Sequence, residues 1–332
     1  MKIEPGSLGR LARALRARSE LGFKRDIQLA ASFFGKETVS AWFPASESIV
    51  NGDDTAALRS GDEHVLLAAE GMRAEFVASD PWFAGFCAVM VNVSDVAAMG
   101  GRPWAIVDVL FLGSGDNTRV LEGMSKASEV FGVPVVGGHT ARVNGGSMLA
   151  AAVLGRAKRL ITSHAARPGQ ALVMAVDLRG SFRGPGGNFN AATAAPAKQL
   201  RAALAVLPEL AEANLVGAGK DISMAGLCGT IGMLLETSGV GATVDLSAVP
   251  SPPDVDPERW LTAFPSYGYV LAVEPDHVAE VCARFDAAGV TAAAIGEVTS
   301  TKRLELRAGR GRDTERADYL DLEDSPLTGF GA

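Results

Sequence analysis

The chain has 332 residues, of which 48% are hydrophobic and 21% charged, and its net charge is -7. That length favours two domains over one core, and the composition belongs to a folded rather than a disordered protein. The acidic balance argues against nucleic acid or an anionic membrane as the main partner, while leaving room for a phosphorylated ligand that Mg²⁺ brings to acidic residues.

Cys87, Cys228 and Cys282 are isolated, odd in number and set among apolar residues. They read as buried thiols in a reducing, cytoplasmic setting rather than as a disulfide framework or a zinc site. No run approaches the length of a membrane span, since AIVDVLFLG (105–113) is short enough for a buried strand.

Residues 6–35 read as helical, with Leu8, Leu11, Leu15, Leu21 and Phe23 as a partial apolar stripe. The Arg-rich stretch 8–25 fits an ordinary surface helix, an import sequence being the alternative. Residues 46–63 break into a short strand, a loop and a second short strand, and 64–69 form a strand ending at Glu70-Gly71. Asp80-Pro81 opens a helix, Asp80 as the cap and Pro81 at the first helical position, and that helix runs to Gly100-Gly101. Its second half, MVNVSDVAAMGG, is so apolar that it must be buried, and it carries one acid, Asp95. An unpaired charge there would cost roughly several kcal/mol, so Asp95 needs a cation or a hydrogen-bond network.

Residues 103–112 predict a buried strand, 117–131 a helix, and 133–136 a strand emptying into a turn, Gly137-Gly138-His139-Thr140; 148–154 predict another strand. Strands alternating with helices give mixed α/β layers, an α+β fold class. Residues 156–169 are polar and form the candidate boundary, dividing the chain into 1–158 and 159–332. Beyond it come a strand at 171–178, a Gly-rich loop at 180–190 with Arg183 and Asn188, and helices at 197–207 and 208–216. A helix opened by Asp221 or Ser223 runs to Gly239, and a strand covers 241–246. Strand, helix, strand and strand follow at 267–273, 277–288, 292–298 and 303–306. The tail from Arg310 is charged and reads as loose.

Several acidic positions stand out. The tandem Asp53-Asp54 reads as a turn or as a metal site; Glu70 as a strand-end acid or a ligand; Asp95 as an internal network or a ligand; Asp221 as a helix cap or a ligand. The Gly137-Gly138 turn lets backbone N–H groups approach phosphate, and His139 fits a core position as well as a site. A P-loop, a nucleophile elbow and a His-Glu-x-x-His motif are all missing. Clustered carboxylates near Gly-rich turns suit Mg²⁺ and phosphoryl transfer, in which the protein contributes positioning and charge neutralisation.

In order along the chain, NGDDTAAL, AAEGM, VNVSDVAAMGGRP, VVGGHT, KDISMAGLCGTIGMLLETSGVGATVDLSAVP and AAAIGEVT resemble the motifs of the aminoimidazole ribonucleotide (AIR) synthase-like superfamily over about residues 45–300. That superfamily includes AIR synthase, selenophosphate synthetase, thiamine-monophosphate kinase and a hydrogenase maturation factor. The resemblance implies a two-domain architecture: an N-terminal domain that forms a dimeric β-barrel, and a C-terminal α/β sandwich. It also implies ATP and Mg²⁺ as cofactors and a homodimer. Carried over by position, Asp53 or Asp54, Glu70, Asp95 and Asp221 would be metal-related, with Asn92, Gly137, Gly138, His139 and Thr140 near the phosphates. Asp95 and His139 are the candidate catalytic pair.

Within the superfamily the chain departs from each named member. No cysteine precedes Cys87, the chain ends in Gly-Phe-Gly-Ala, and it reads SMAG where the thiamine-monophosphate kinases read SDG. The expectation is an ATP- and Mg²⁺-dependent phosphotransferase or ligase. It would move the γ-phosphoryl group to a heteroatom of a small-molecule acceptor, as a kinase does or to drive cyclisation or dehydration. A non-catalytic nucleotide-binding partner protein and a thiamine-monophosphate kinase-like enzyme are the alternatives. No nucleic-acid or membrane partner is expected.

Overall fold

A computed structural model of the chain describes residues 1–34, 51–184, 186–309 and 311–331. The chain folds into two compact units. One is made of Asp54–Leu160 with Ala192–Glu212, the other of Met1–Asp53, Ile161–Ala191 and Ala213–Ala332. The chain passes from one unit to the other near residue 160, and two segments, Met1–Asp53 and Ala192–Glu212, depart from a simple division at 158/159. The reason is burial. Leu8, Leu15 and Leu21 join the core that holds Trp260, Leu304 and Tyr319, whereas Ala192 and Leu200 join the core around Phe83 and Phe86.

In chain order the first elements are α1 (Leu8–Arg16), α2 (Ser19–Arg25) and α3 (Ile27–Phe34), then β1 (Ala56–Ser60), β2 (Glu63–Met72), α4 (Ala74–Ser79), α5 (Pro81–Ala98), β3 (Arg102–Leu112), α6 (Asn117–Phe131), β4 (Val135–Arg142) and β5 (Met148–Ala157). Part of the first strand expected in 46–63 lies outside the described residues. Strands β1 to β5 make one sheet in the order β1-β2-β5-β3-β4, antiparallel except for β3 beside β4.

One face of this sheet, through Leu66, Ile106, Leu110, Leu149, Ala151 and Val153, packs with Phe83, Phe86, Val89, Val93 and Val96 of α5. Helix α5 begins as its sequence dictates, with Asp80 accepting a hydrogen bond from the Phe83 N–H and Pro81 in the first turn. It crosses α6 at two glycines. A Cβ at Gly85 would collide with the Val120 carbonyl, and one at Gly123 with the Trp82 carbonyl. The apolar length of α5 corrects the sequence reading on spans. By length and composition it could cross a membrane, yet 83% of it is buried inside the protein, so its apolarity belongs to a core helix.

The remaining elements are β6 (Ala171–Val176), β7 (Ser181–Phe182), β8 (Phe189–Asn190), α7 (Ala197–Glu212), β9 (Ala218–Asp221), α8 (Gly226–Ser238), β10 (Gly241–Asp245), α9 (Pro257–Leu261), β11 (Gly268–Val273), α10 (Val278–Ala287), β12 (Thr291–Thr299), β13 (Arg303–Ala308) and β14 (Glu315–Asp321). Seven of these strands form a mixed sheet, β14-β13-β10-β12-β6-β11-β9. Three expectations change here. Pro208 lies inside α7 rather than between two helices; the buried Val206, Leu207, Leu210 and Ala211 around it hold the helix together across the missing hydrogen bond. The loop at 180–190 closes through a short hairpin, β7 with β8. The charged tail supplies an edge strand, β14, paired with β13.

Candidate metal and nucleotide site

Helix α5 presents Asn92 and Asp95 three residues apart, on one face. Asn92 is fully buried. Its amide nitrogen donates to the Ala88 carbonyl at 2.8 Å and to the Ala151 carbonyl at 3.2 Å, while its Oδ1 accepts no hydrogen bond from any described residue. Asp95 is 6% exposed. A carboxylate oxygen of Asp54, from the loop that leads into β1, comes within 4.8 Å of one from Asp95. Two full negative charges at that separation repel by about 3 kcal/mol at an effective dielectric constant near 20. Two close carboxylates are hard oxygen donors that suit a divalent cation such as Mg²⁺, and the buried Asn92 oxygen lies on the same helix three residues before Asp95.

Of the tandem acids, Asp54 is the one that faces Asp95. Asp53 belongs to the other unit, where its carboxylate accepts from the Thr162 hydroxyl and, at 2.9 Å, from the Ser163 N–H. Asp221 is also in that unit, 5% exposed, with the Ser266 hydroxyl 3.5 Å away. It is the last residue of β9 and not a helix cap. Helix α8 starts five residues later, because the backbone of 218–221 pairs with β11.

Strand register adds a residue that the sequence reading passed over. Glu70, Ala151, Asp108 and Gly138 lie in one row across β2, β5, β3 and β4, and Asn92 reaches the Ala151 carbonyl of that row. Alternation along β3 puts Asp108 on the α5 side with Ile106 and Leu110. Burial raises the Asp108 carboxyl above the ordinary aspartate range. The signal in the sequence was an acid in the middle of an otherwise apolar strand, AIVDVLFLG. Glu70 is exposed near the end of β2 and is not part of the close carboxylate pair.

Gly137–Thr140 corrects another expectation: these residues form no turn but run extended within β4, opposite 107–110 of β3. The glycine at 138 serves close approach, since a Cβ there would collide with the carbonyl and carboxylate of Asp108. His139 pairs with Val109 and meets the Phe111 ring edge-on at 6.2 Å. It therefore lies on the sheet face opposite α5, and the structure does not bring it together with Asp95. Thr140, paired with Leu110, is on the α5 side.

In the other unit the Gly-rich loop is pinned. The Arg259 guanidinium stacks 3.9 Å from the Phe182 ring and donates to the Gly184 carbonyl at 2.8 Å, and the Arg183 N–H donates to the Asn188 carbonyl at 2.7 Å. Cys87 and Cys228 are buried as expected, while Cys282 is half-buried. Burial pushes the Cys228 thiol up to about 12, so it is no nucleophile at neutral pH.

Residues 52–157 match the N-terminal domain, and residues 178–309 the C-terminal domain, of AIR synthase related protein. The Synechocystis protein sll0787 is 44% identical over 310 residues, which span 92% of this chain and 94% of that one. Among solved structures, Thermotoga maritima PurL complexed with ADP superposes with a TM-score of 0.70 at 20% identity, over 91% of this chain and 52% of that one. AaThiL complexed with AMPPCP and TMP gives 0.62 at 20% identity, over 83% and 94%. The chain thus spans about half the length of the PurL chain it matches. It belongs to the AIR synthase-related family.

Proposed function

We propose that the chain binds ATP together with Mg²⁺ and transfers the γ-phosphoryl group to a heteroatom of a small metabolite. The observation that carries this reading is the close approach of the Asp54 and Asp95 carboxylates, Asp95 lying on a helix whose buried Asn92 oxygen has no partner among the described residues. The nucleotides bound to the like-folded PurL and AaThiL support it. In this reading Asp54 and Asp95 hold the metal, and Asp108 and Glu70 extend the anionic row next to Asn92. Asp221 is the further acid that the sequence resemblance relates to metal, and of its two alternatives in the tandem this reading takes Asp54 and leaves Asp53 on Thr162 and Ser163. Gly137, Gly138 and Thr140 are the residues that the sequence resemblance sets near the phosphates; no atom of the described residues stands where a side chain at 137 would be, whereas Asp108 fills that space at 138. Bound Mg²⁺ would supply charge neutralisation on the phosphate oxygens.

The reading predicts ATP binding that requires Mg²⁺ and falls by about 10-fold or more in Asp95→Asn, because loss of a ligand charge leaves the ion underneutralised. Titration calorimetry with and without Mg²⁺ checks it. Mg²⁺-independent ATP binding, unchanged in the variant, is the result that sinks it.

A second reading, a nucleotide-binding partner protein without catalysis, gains support from His139, which faces away from Asp95 across the sheet. Retained ATP affinity without turnover over a panel of metabolite acceptors favours it, and rapid turnover with one acceptor rules it out. We further propose a homodimer that closes the five-stranded sheet into a barrel. Its support is the open face, where Leu67, Val107, Val109 and Met148 are 49, 43, 38 and 46% exposed, an apolar surface that a second copy would cover.

A further inference from the structure

The last residues of the chain are held by a buried acid. Glu236, in α8 and 5% exposed, accepts from the backbone N–H groups of Leu327 at 3.1 Å, Thr328 at 2.9 Å and Gly329 at 3.0 Å, and from the Thr328 hydroxyl at 2.9 Å. Successive N–H groups converging on one carboxylate form an anion nest, and charge-assisted bonds of this kind are the strong ones. From the other side, the Gln28 amide of α3 donates to the Pro326 carbonyl at 2.8 Å and the Leu327 carbonyl at 3.1 Å. Leu327 is fully buried between these two anchors.

What the anchors deliver is Phe330. Its side chain covers Gly52, where a Cβ would come 2.6 Å from the Phe330 Cβ and 2.7 Å from its Cγ. Gly52 has φ +101°, so both its conformation and the phenyl above it demand glycine. The residues on either side of Gly52 are tied as well, Asn51 to the Phe34 carbonyl that ends α3 and Asp53 to Thr162 and Ser163. Asp54 is the next residue along the chain.

We propose that Phe330 and Glu236 are positioning residues. The C-terminal segment, locked by Glu236, presses Phe330 onto Gly52 and thereby fixes the backbone that presents Asp54 to the metal. This rests on the ATP–Mg²⁺ reading and adds a control on it that acts from the end of the chain. Metal affinity depends on such outlying supports, because a ligand free to sample other orientations must be ordered each time the ion binds.

The test measures the Mg²⁺ concentration that half-saturates ATP binding, by calorimetry at a series of Mg²⁺ concentrations, together with hydrogen exchange at the amides of 51–55. In Phe330→Ala, and in a chain ending at Gly329, the Mg²⁺ requirement rises about tenfold, ATP affinity returns to the parental value at saturating Mg²⁺, and the loop amides exchange faster. Phe330→Leu, which still covers Gly52, stays close to the parent. An unchanged Mg²⁺ requirement in both shortened side-chain and shortened-chain variants overturns the inference while leaving the ATP–Mg²⁺ reading intact. ATP binding that ignores Mg²⁺ in the parent overturns that reading, and the inference with it.

Discussion

Asp108 is a side chain whose charge is costly for folding and, in the proposed ATP–Mg²⁺ reading, useful for binding. Its carboxyl is pushed above the usual aspartate range by burial, so the folded protein holds the proton more tightly than the unfolded chain does. Stability therefore falls as pH rises from the unfolded value through the folded one, and above both the full penalty is present. Asp108→Asn removes the charge and keeps the shape. It should raise the thermal midpoint at pH 7, the difference from the parent shrinking as pH drops towards 3, while Mg²⁺-dependent ATP binding weakens. Thermal scans across pH, paired with calorimetry, check both halves. A midpoint difference that stays constant with pH would show that the carboxyl is not the cause. The neighbouring acids divide by partners: Asp53 spends its carboxylate on Thr162 and Ser163, and Asp54, one residue on, approaches Asp95.

At the scale of elements, α5 is the part that positions the site, and its placement depends on two glycines. Gly85 and Gly123 let the backbones of α5 and α6 come close enough that any Cβ would strike the facing carbonyl of Val120 or Trp82. Gly123→Ala must push the helices apart, an overpacking cost of about 1–3 kcal/mol. Because Asn92 and Asp95 ride on α5, the same change should weaken Mg²⁺–ATP binding although Gly123 is not itself in the carboxylate cluster. Chemical denaturation gives the first quantity and calorimetry the second. The C-terminal segment works in a comparable way, except that Glu236 secures it by hydrogen bonds where α5 is secured by shape.

For the molecule as a whole, the five-stranded sheet has one packed face and one open face, with β1 and β4 as its edges. Leu67, Val107, Val109 and Met148 on the open face explain why apolar residues recur at both parities of β2, β3 and β5. A strand with one wet face would alternate apolar with polar residues. If a second copy covers this face, Val107→Lys buries an unpaired charge at the interface at a cost of several kcal/mol, roughly. The parent should run as a dimer and the variant as a monomer in light scattering after size exclusion. A monomeric parent removes the proposed barrel.

Much of this was legible in the sequence, for reasons that are local. Asp80-Pro81 fixed the start of α5 through capping and a preset φ, the unbroken apolar run fixed its burial, and the helix at 117–131 was bounded by Asp116 and by Gly132 in the left-handed conformation. The ordered motifs identified the family. Other features depended on partners distant in the chain. Gly137–Thr140 reads as a turn until β3 is laid beside it; Asp221 reads as a cap until β11 claims its backbone; the charged tail reads as loose until β13 and Glu236 hold it. The choice of Asp54 over Asp53, and the presence of Asp108 beside Gly138, follow from register and long-range hydrogen bonds, which no spacing along the chain encodes. Local propensity and burial pattern determined where the elements lie and which helix is central. Only the tertiary structure decided which acids meet, because that is set by which backbones pair and which face each strand turns inward.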